Sequence, residues 1–184
     1  MMDIYRAVDK VASVVEYCGT GNIWDIFDKL DISYNTKDLG SPRTGLKGFC
    51  TSFFGNYYVT VNRRLAAHLQ ALVAWHELGH IILDPEMLTD GNCLFDSDFY
   101  SAAAGAELRA NLFAAEGLIE DDDLLELLHN GYTRKAAASE LMVPVPFIDY
   151  KIRILWEYDI PLKYVDMPDT FCLGDDITGK QNPW

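Results

Sequence analysis

The chain has 184 residues, 49% of them apolar and 12% aromatic. That is enough to bury a sizeable core, and the absence of any run of about 18 apolar residues excludes a membrane-spanning helix. The formal net charge of −13 repels phosphate backbones and argues against direct nucleic-acid binding.

Charged side chains at Asp3, Arg6, Asp9 and Lys10 stand where a signal peptide needs its apolar core. Cys18, Cys50, Cys93 and Cys172 are scattered, with no CxxC pair. Both features point to a cytoplasmic protein with reduced thiols. Residues 1–160 read as one domain and 161–184 as an irregular tail rich in proline and glycine. The fold class is α+β, a mainly helical domain with a small antiparallel sheet.

Ile4 to Tyr17 carries apolar residues at helical spacing, and Gly19-Thr20-Gly21-Asn22 breaks it. A short helix follows, with Ile23, Ile26, Phe27 and Leu30 inward; these N-terminal helices occupy residues 1–31. From 32 to 62 the period falls to two. Ile32 and Tyr34 open a strand, and Gly40 to Gly45 mark a loop. Lys47 to Phe54 and Tyr57 to Asn62 read as a hairpin turning at Gly55-Asn56. Such a sheet either covers the next helix or offers an edge strand to an extended peptide.

Residues 63–118 contain two helices, Arg63 to Leu83 and about Phe99 to Leu118, joined by a loop over Met87 to Asp98. The second is rich in alanine, which lets two helices approach closely. Further helices are expected at Asp122 to His129, Arg134 to Leu141 and Phe147 to Trp156, within residues 121–157. His68 and His129 read as surface or helix-end residues.

The chemistry lies in His76-Glu77-Leu78-Gly79-His80. Residues four apart on a helix share a face, so His76 and His80 can offer two nitrogens to one ion. Glu77 can reach a water beside that ion and act as a general base. Apolar residues flank the motif, and a buried helix carrying His, Glu and His needs partners for its polar atoms. Gly79 costs about 1 kcal/mol in a helix interior relative to alanine, and its use there fits the close approach of another backbone. Imidazole nitrogens suit Zn2+. The competing reading is two satisfied core histidines with no metal.

A catalytic zinc needs a third protein ligand. The pattern with a histidine six residues after the second histidine fails, because Glu86 stands there. Glu107 is the preferred donor. It shares a helical face with Ala110, Asn111 and Ala114, and Asn111 is placed to hydrogen-bond a ligand from behind. Glu116, Asp84 and Glu86 are the alternatives. Tyr57, Tyr58 and Tyr100 are candidate donors to a developing oxyanion.

His76-Glu77-Leu78-Gly79-His80, followed by Glu107-Leu108-Arg109-Ala110-Asn111-Leu112-Phe113-Ala114-Ala115, resembles the ImmA/IrrE family of metallopeptidases. The resemblance covers roughly residues 49–155, including Arg153-Ile154-Leu155 near its end. It implies a gluzincin-like zinc site with His76, His80 and Glu107 as ligands and Glu77 as general base. It also implies a cytoplasmic enzyme of prophages or mobile elements that cleaves or inactivates a helix-turn-helix repressor. One departure is Glu116-Gly117-Leu118-Ile119-Glu120, which lacks the family's proline. The alternative function is a non-catalytic, metal-binding regulator that acts by occupying a repressor partner.

Overall fold

The computed structural model of the protein describes residues 2–88, 93–96 and 105–162. The predicted start of the alanine-rich helix at 99–104, Tyr100 and the tail from 163 onward lie outside those residues. The described residues form seven α-helices and four strands in the order α1 (Met2–Cys18), α2 (Ile23–Lys29), β1 (Ser33–Lys37), β2 (Gly48–Phe53), β3 (Asn56–Asn62), α3 (Ala67–Leu83), β4 (Cys93–Asp96), α4 (Gly105–Leu118), α5 (Asp121–His129), α6 (Arg134–Glu140) and α7 (Val145–Glu157). The architecture is α+β and mainly helical, as expected.

Local chemistry sets the helix ends. Gly19 adopts a left-handed φ of 64° and stops α1. Asn22 then caps α2, its side chain accepting from Trp24 N at 3.0 Å and Asp25 N at 3.3 Å. The third helix starts at Ala67, four residues later than its apolar pattern suggests. Arg63 to Leu65 instead form a turn on Asn62, with Arg64 N donating to Asn62 Oδ1 at 3.0 Å and Leu65 N to Asn62 O at 3.1 Å.

The sheet has the order β1-β3-β2-β4 and is mixed. β2 runs antiparallel to β3 and β4, but β1 is parallel to β3, from Ser33 opposite Tyr58 to Lys37 opposite Asn62. The chain therefore passes over the end of β3 between β1 and β2. Asn62 fastens that crossing loop, donating through Nδ2 to Gly40 O at 3.2 Å and Leu46 O at 2.8 Å. β4, inside the stretch expected to be a loop, pairs with β2 from Gly48 opposite Asp96 to Thr51 opposite Cys93. The hairpin turns one residue earlier than predicted. Phe54 and Gly55, at φ of 50° and 76°, form the two-residue turn, and Asn56 already pairs with Phe53.

α3 lies at the centre, buried from Leu72 to Ile81. The sheet, α1, α2 and α4 surround it. Among the described residues no helix is long and apolar enough to cross a membrane.

Candidate metal centre

α3 and α4 supply the site. His76 and His80 lie one turn apart on α3, 1% and 2% exposed. Glu107 enters from the first described turn of α4. His80 Nε2 is 3.1 Å from His76 Nε2, and the Glu107 carboxylate lies 3.4 Å from His76 Nε2 and 3.5 Å from His80 Nε2. All three donor atoms fall within 4.8 Å of one another, so the group could hold a metal ion.

The spacing can be tested against a specific ion. Ligand bonds of about 2.0–2.1 Å in a tetrahedron place neighbouring donor atoms about 3.3 Å apart. The two ring nitrogens, 3.1 Å apart, and the carboxylate, with Oε2 3.4 Å from His76 and Oε1 3.5 Å from His80, lie close to that value. Two imidazole nitrogens and a carboxylate are also a donor set that zinc accepts.

Electrostatics favour the metal-binding protonation states. Burial, helped by the neighbouring charge of His76, pushes the His80 imidazolium down to about 4. Burial by itself would raise the Glu107 carboxyl. The hydrogen bond and charge from His76, with the charge of His80, outweigh that and hold it below its ordinary value. Near neutral pH the group therefore presents a neutral His80 ring and a carboxylate.

Behind the first histidine stands Asn111, 1% exposed, whose Oδ1 lies 2.9 Å from His76 Nδ1. An acceptor there puts the ring proton on Nδ1 and bares Nε2 on the side of Glu107. Glu77 is fully buried, with its carboxylate against the start of β2. A Cβ at Gly48 would lie 3.2 Å from Glu77 Oε1 and 2.4 Å from Val73 Cγ1. Glycine at 48 is what lets the strand run past this carboxylate.

The other carboxylates weighed for the third position have separate roles. Asp84 accepts a forked pair of bonds from Arg109, whose Nε donates to Oδ1 at 3.0 Å and Oδ2 at 3.2 Å and whose Nη2 also reaches Oδ1. Glu116 accepts from the buried Lys151 at 2.7 Å. Glu86 is exposed in a short turn at Pro85–Met87. His68 and His129 are exposed at the first turn of α3 and the last turn of α5. Tyr57 and Tyr58 sit in the outer half of β3, opposite Ser52 and Thr51.

Sequence reasoning did not find Tyr150. Its hydroxyl on α7 accepts from Asn111 Nδ2 at 3.4 Å. Burial raises the phenol above its ordinary value, so it stays protonated at neutral pH. No motif marks it, because the contact spans 39 residues and depends on how α7 packs against α4.

A buried histidine pair on a central helix, faced by a carboxylate from the next helix and backed by a small sheet, is the layout of a metallopeptidase domain. The family model for the IrrE N-terminal-like domain matches residues 27–153, and the chain belongs to that family of peptidases. It is 32% identical over 150 residues to Metallopeptidase ImmA of Bacillus subtilis (strain 168), across 78% of this chain and 82% of that protein.

Proposed function

We propose that the protein is a zinc-dependent endopeptidase of the cytoplasm. In this reading His76, His80 and Glu107 are the zinc ligands, Asn111 orients His76 from behind and Glu77 is the general base. The observation that carries it is the convergence of two ring nitrogens, 3.1 Å apart, and a carboxylate whose oxygens lie 3.4 and 3.5 Å from them, in a chain of a peptidase family.

Zinc held there supplies a Lewis acid that acidifies a water and polarises a peptide carbonyl. The protein's own groups carry the protons. The Glu77 carboxylate takes a proton from the water as its oxygen bonds to the carbonyl carbon. It then passes that proton to the amine nitrogen as the C–N bond breaks. Burial among apolar neighbours suits this role, because bulk water does not compete for the carboxylate. Asn111 keeps the His76 proton on Nδ1, and the negative charge of Glu107 would offset part of the ion's charge.

The substrate proposed is a helix-turn-helix transcriptional repressor of a prophage or mobile element. It follows from the likeness to the ImmA/IrrE family, and the net charge of −13 accords with a protein partner and not with DNA.

Glu77→Gln tests the assignment. The variant should keep one equivalent of zinc and lose cleavage of a repressor encoded beside its gene. Zinc retained with cleavage intact removes Glu77 from the mechanism. Zinc retained, cleavage lost and derepression intact supports the regulator that works by binding alone.

A further inference from the structure

Asn111 can serve His76 only while its amide stays in place. The amide is 1% exposed, and each of its ends needs a partner, since a buried amide left unpaired is costly. Oδ1 faces His76 Nδ1 at 2.9 Å. The only partner among the described residues for the other end is the Tyr150 hydroxyl, 3.4 Å from Nδ2.

The phenol is itself held firmly. Pro146 lies in the first turn of α7, where a proline's fixed φ suits the helix. Arg134 Nη1 donates to Asp149 Oδ1 at 2.7 Å and ties α6 to α7 one residue before Tyr150. The Tyr150 ring stands edge-on to the fully buried Phe147, 5.7 Å between centroids and 79° between planes. A fixed phenol in the middle of a fixed helix can therefore pin an amide that in turn pins an imidazole.

We propose that Tyr150 is a positioning residue of the metal centre, acting on His76 through Asn111. It is the third member of a line, Tyr150–Asn111–His76, that runs from α7 through α4 to α3. The line has a sense. A ring nitrogen bared toward Glu107 requires Nδ1–H to donate to Asn111 Oδ1, so Asn111 Nδ2 donates to the phenol oxygen. Removing that oxygen leaves Nδ2 buried without an acceptor, and the amide turns away from His76 to find one. This inference rests on the reading of His76 as a metal ligand.

Zinc affinity tests it, measured by competition with a chromophoric chelator for the full-length wild type, Tyr150→Phe, Asn111→Ala and the double variant. His76→Ala serves as the control for the metal site. Losing an outer hydrogen-bond partner of a ligand costs about 10–100-fold in affinity, which is the loss expected for Asn111→Ala. Losing a neutral hydrogen bond one step further out should cost Tyr150→Phe about three- to tenfold. The double variant should be no weaker than Asn111→Ala, because Tyr150 acts only through that amide.

Wild-type affinity in Tyr150→Phe overturns the proposal, as do losses that simply add in the double variant. Reduced unfolding stability in Tyr150→Phe with unchanged zinc affinity also overturns it, since that is a structural role alone. His76→Ala with undiminished zinc affinity would instead defeat the metal-ligand reading beneath it.

Discussion

Gly79 on α3 meets the backbone of Ala110 on α4: a Cβ at position 79 would lie 2.9 Å from Ala110 Cα and 3.2 Å from Phe113 Cβ. The contact sits beside the site, one residue before His80 and three after Glu107. A second glycine repeats it farther along, where a Cβ at Gly117 would fall 2.5 Å from the Trp75 ring. Two missing side chains thus set how closely the helices cross, and that closeness lets the Glu107 carboxylate reach both rings. Gly79→Ala should gain about 1 kcal/mol of helix propensity. Forcing the helices apart should cost about 1–3 kcal/mol, and more if the backbone of α4 must move. The expected net result is a lower denaturant midpoint together with weaker zinc binding. A variant as stable as wild type, with unchanged zinc affinity, would show that the close crossing does not position Glu107.

The Asp84–Arg109 pair should prove structural. Asp84 is 1% exposed, and Arg109 is its forked partner while also lying 3.8 Å from Asp3. Arg109→Ala leaves a carboxylate buried and uncompensated, at a cost of about 3–5 kcal/mol, read from chemical unfolding. Asp84→Asn should retain a full equivalent of zinc, because Asp84 faces Arg109 and not the histidines. Loss of zinc in a folded Asp84→Asn protein would return Asp84 to the ligand set.

Acid should destabilise the metal-free protein. His80 is held down to about 4 from an ordinary 6.5, so between those values the unfolded chain binds a proton that the folded chain refuses. Stability from this group is complete above pH 6.5 and is lost as pH falls toward 4, on the order of 3 kcal/mol in all. Glu107 acts in the same sense. Its folded value lies below the ordinary 4.5, so its contribution is present above 4.5 and disappears as pH falls through the folded value. Thermal unfolding with a chelator present, from pH 7 to pH 4, should show a falling Tm that begins near pH 6.5. A flat Tm down to pH 5 would contradict the burial of a neutral His80.

The helices were legible because their apolar residues recur at helical spacing and glycine or a capping side chain marks their ends, as at Gly19 and Asn22. The sheet was less so. Alternation reveals a strand but not the direction of its neighbour, and the parallel pairing of β1 follows from a loop anchored by Asn62 from 16 and 22 residues away. The turn was misplaced because Phe54 takes a left-handed φ that local rules reserve for asparagine or glycine. Its ring stacks edge-on against Phe53, 4.4 Å between centroids. β4 is only four residues long and exists through its pairing with β2.

In the site, the spacing of His76 and His80 is a property of one helix and could be read directly. The approach of Glu107 and Asn111 could be anticipated from the small residues on their face of α4. Tyr150 could not, since nothing local to α7 points to Asn111.

The bond between helix α4 and the histidine pair is the part of this account most open to direct measurement, by the zinc content and affinity of folded Glu107→Gln beside the wild type. The wild type should hold one equivalent. The variant keeps the shape of Glu107 without its charge, so it should bind zinc more weakly by more than the about 10–100-fold typical of an outer-shell change, with its far-UV circular dichroism unchanged. A folded Glu107→Gln protein that holds a full equivalent with wild-type affinity would contradict the assignment of Glu107 to the metal.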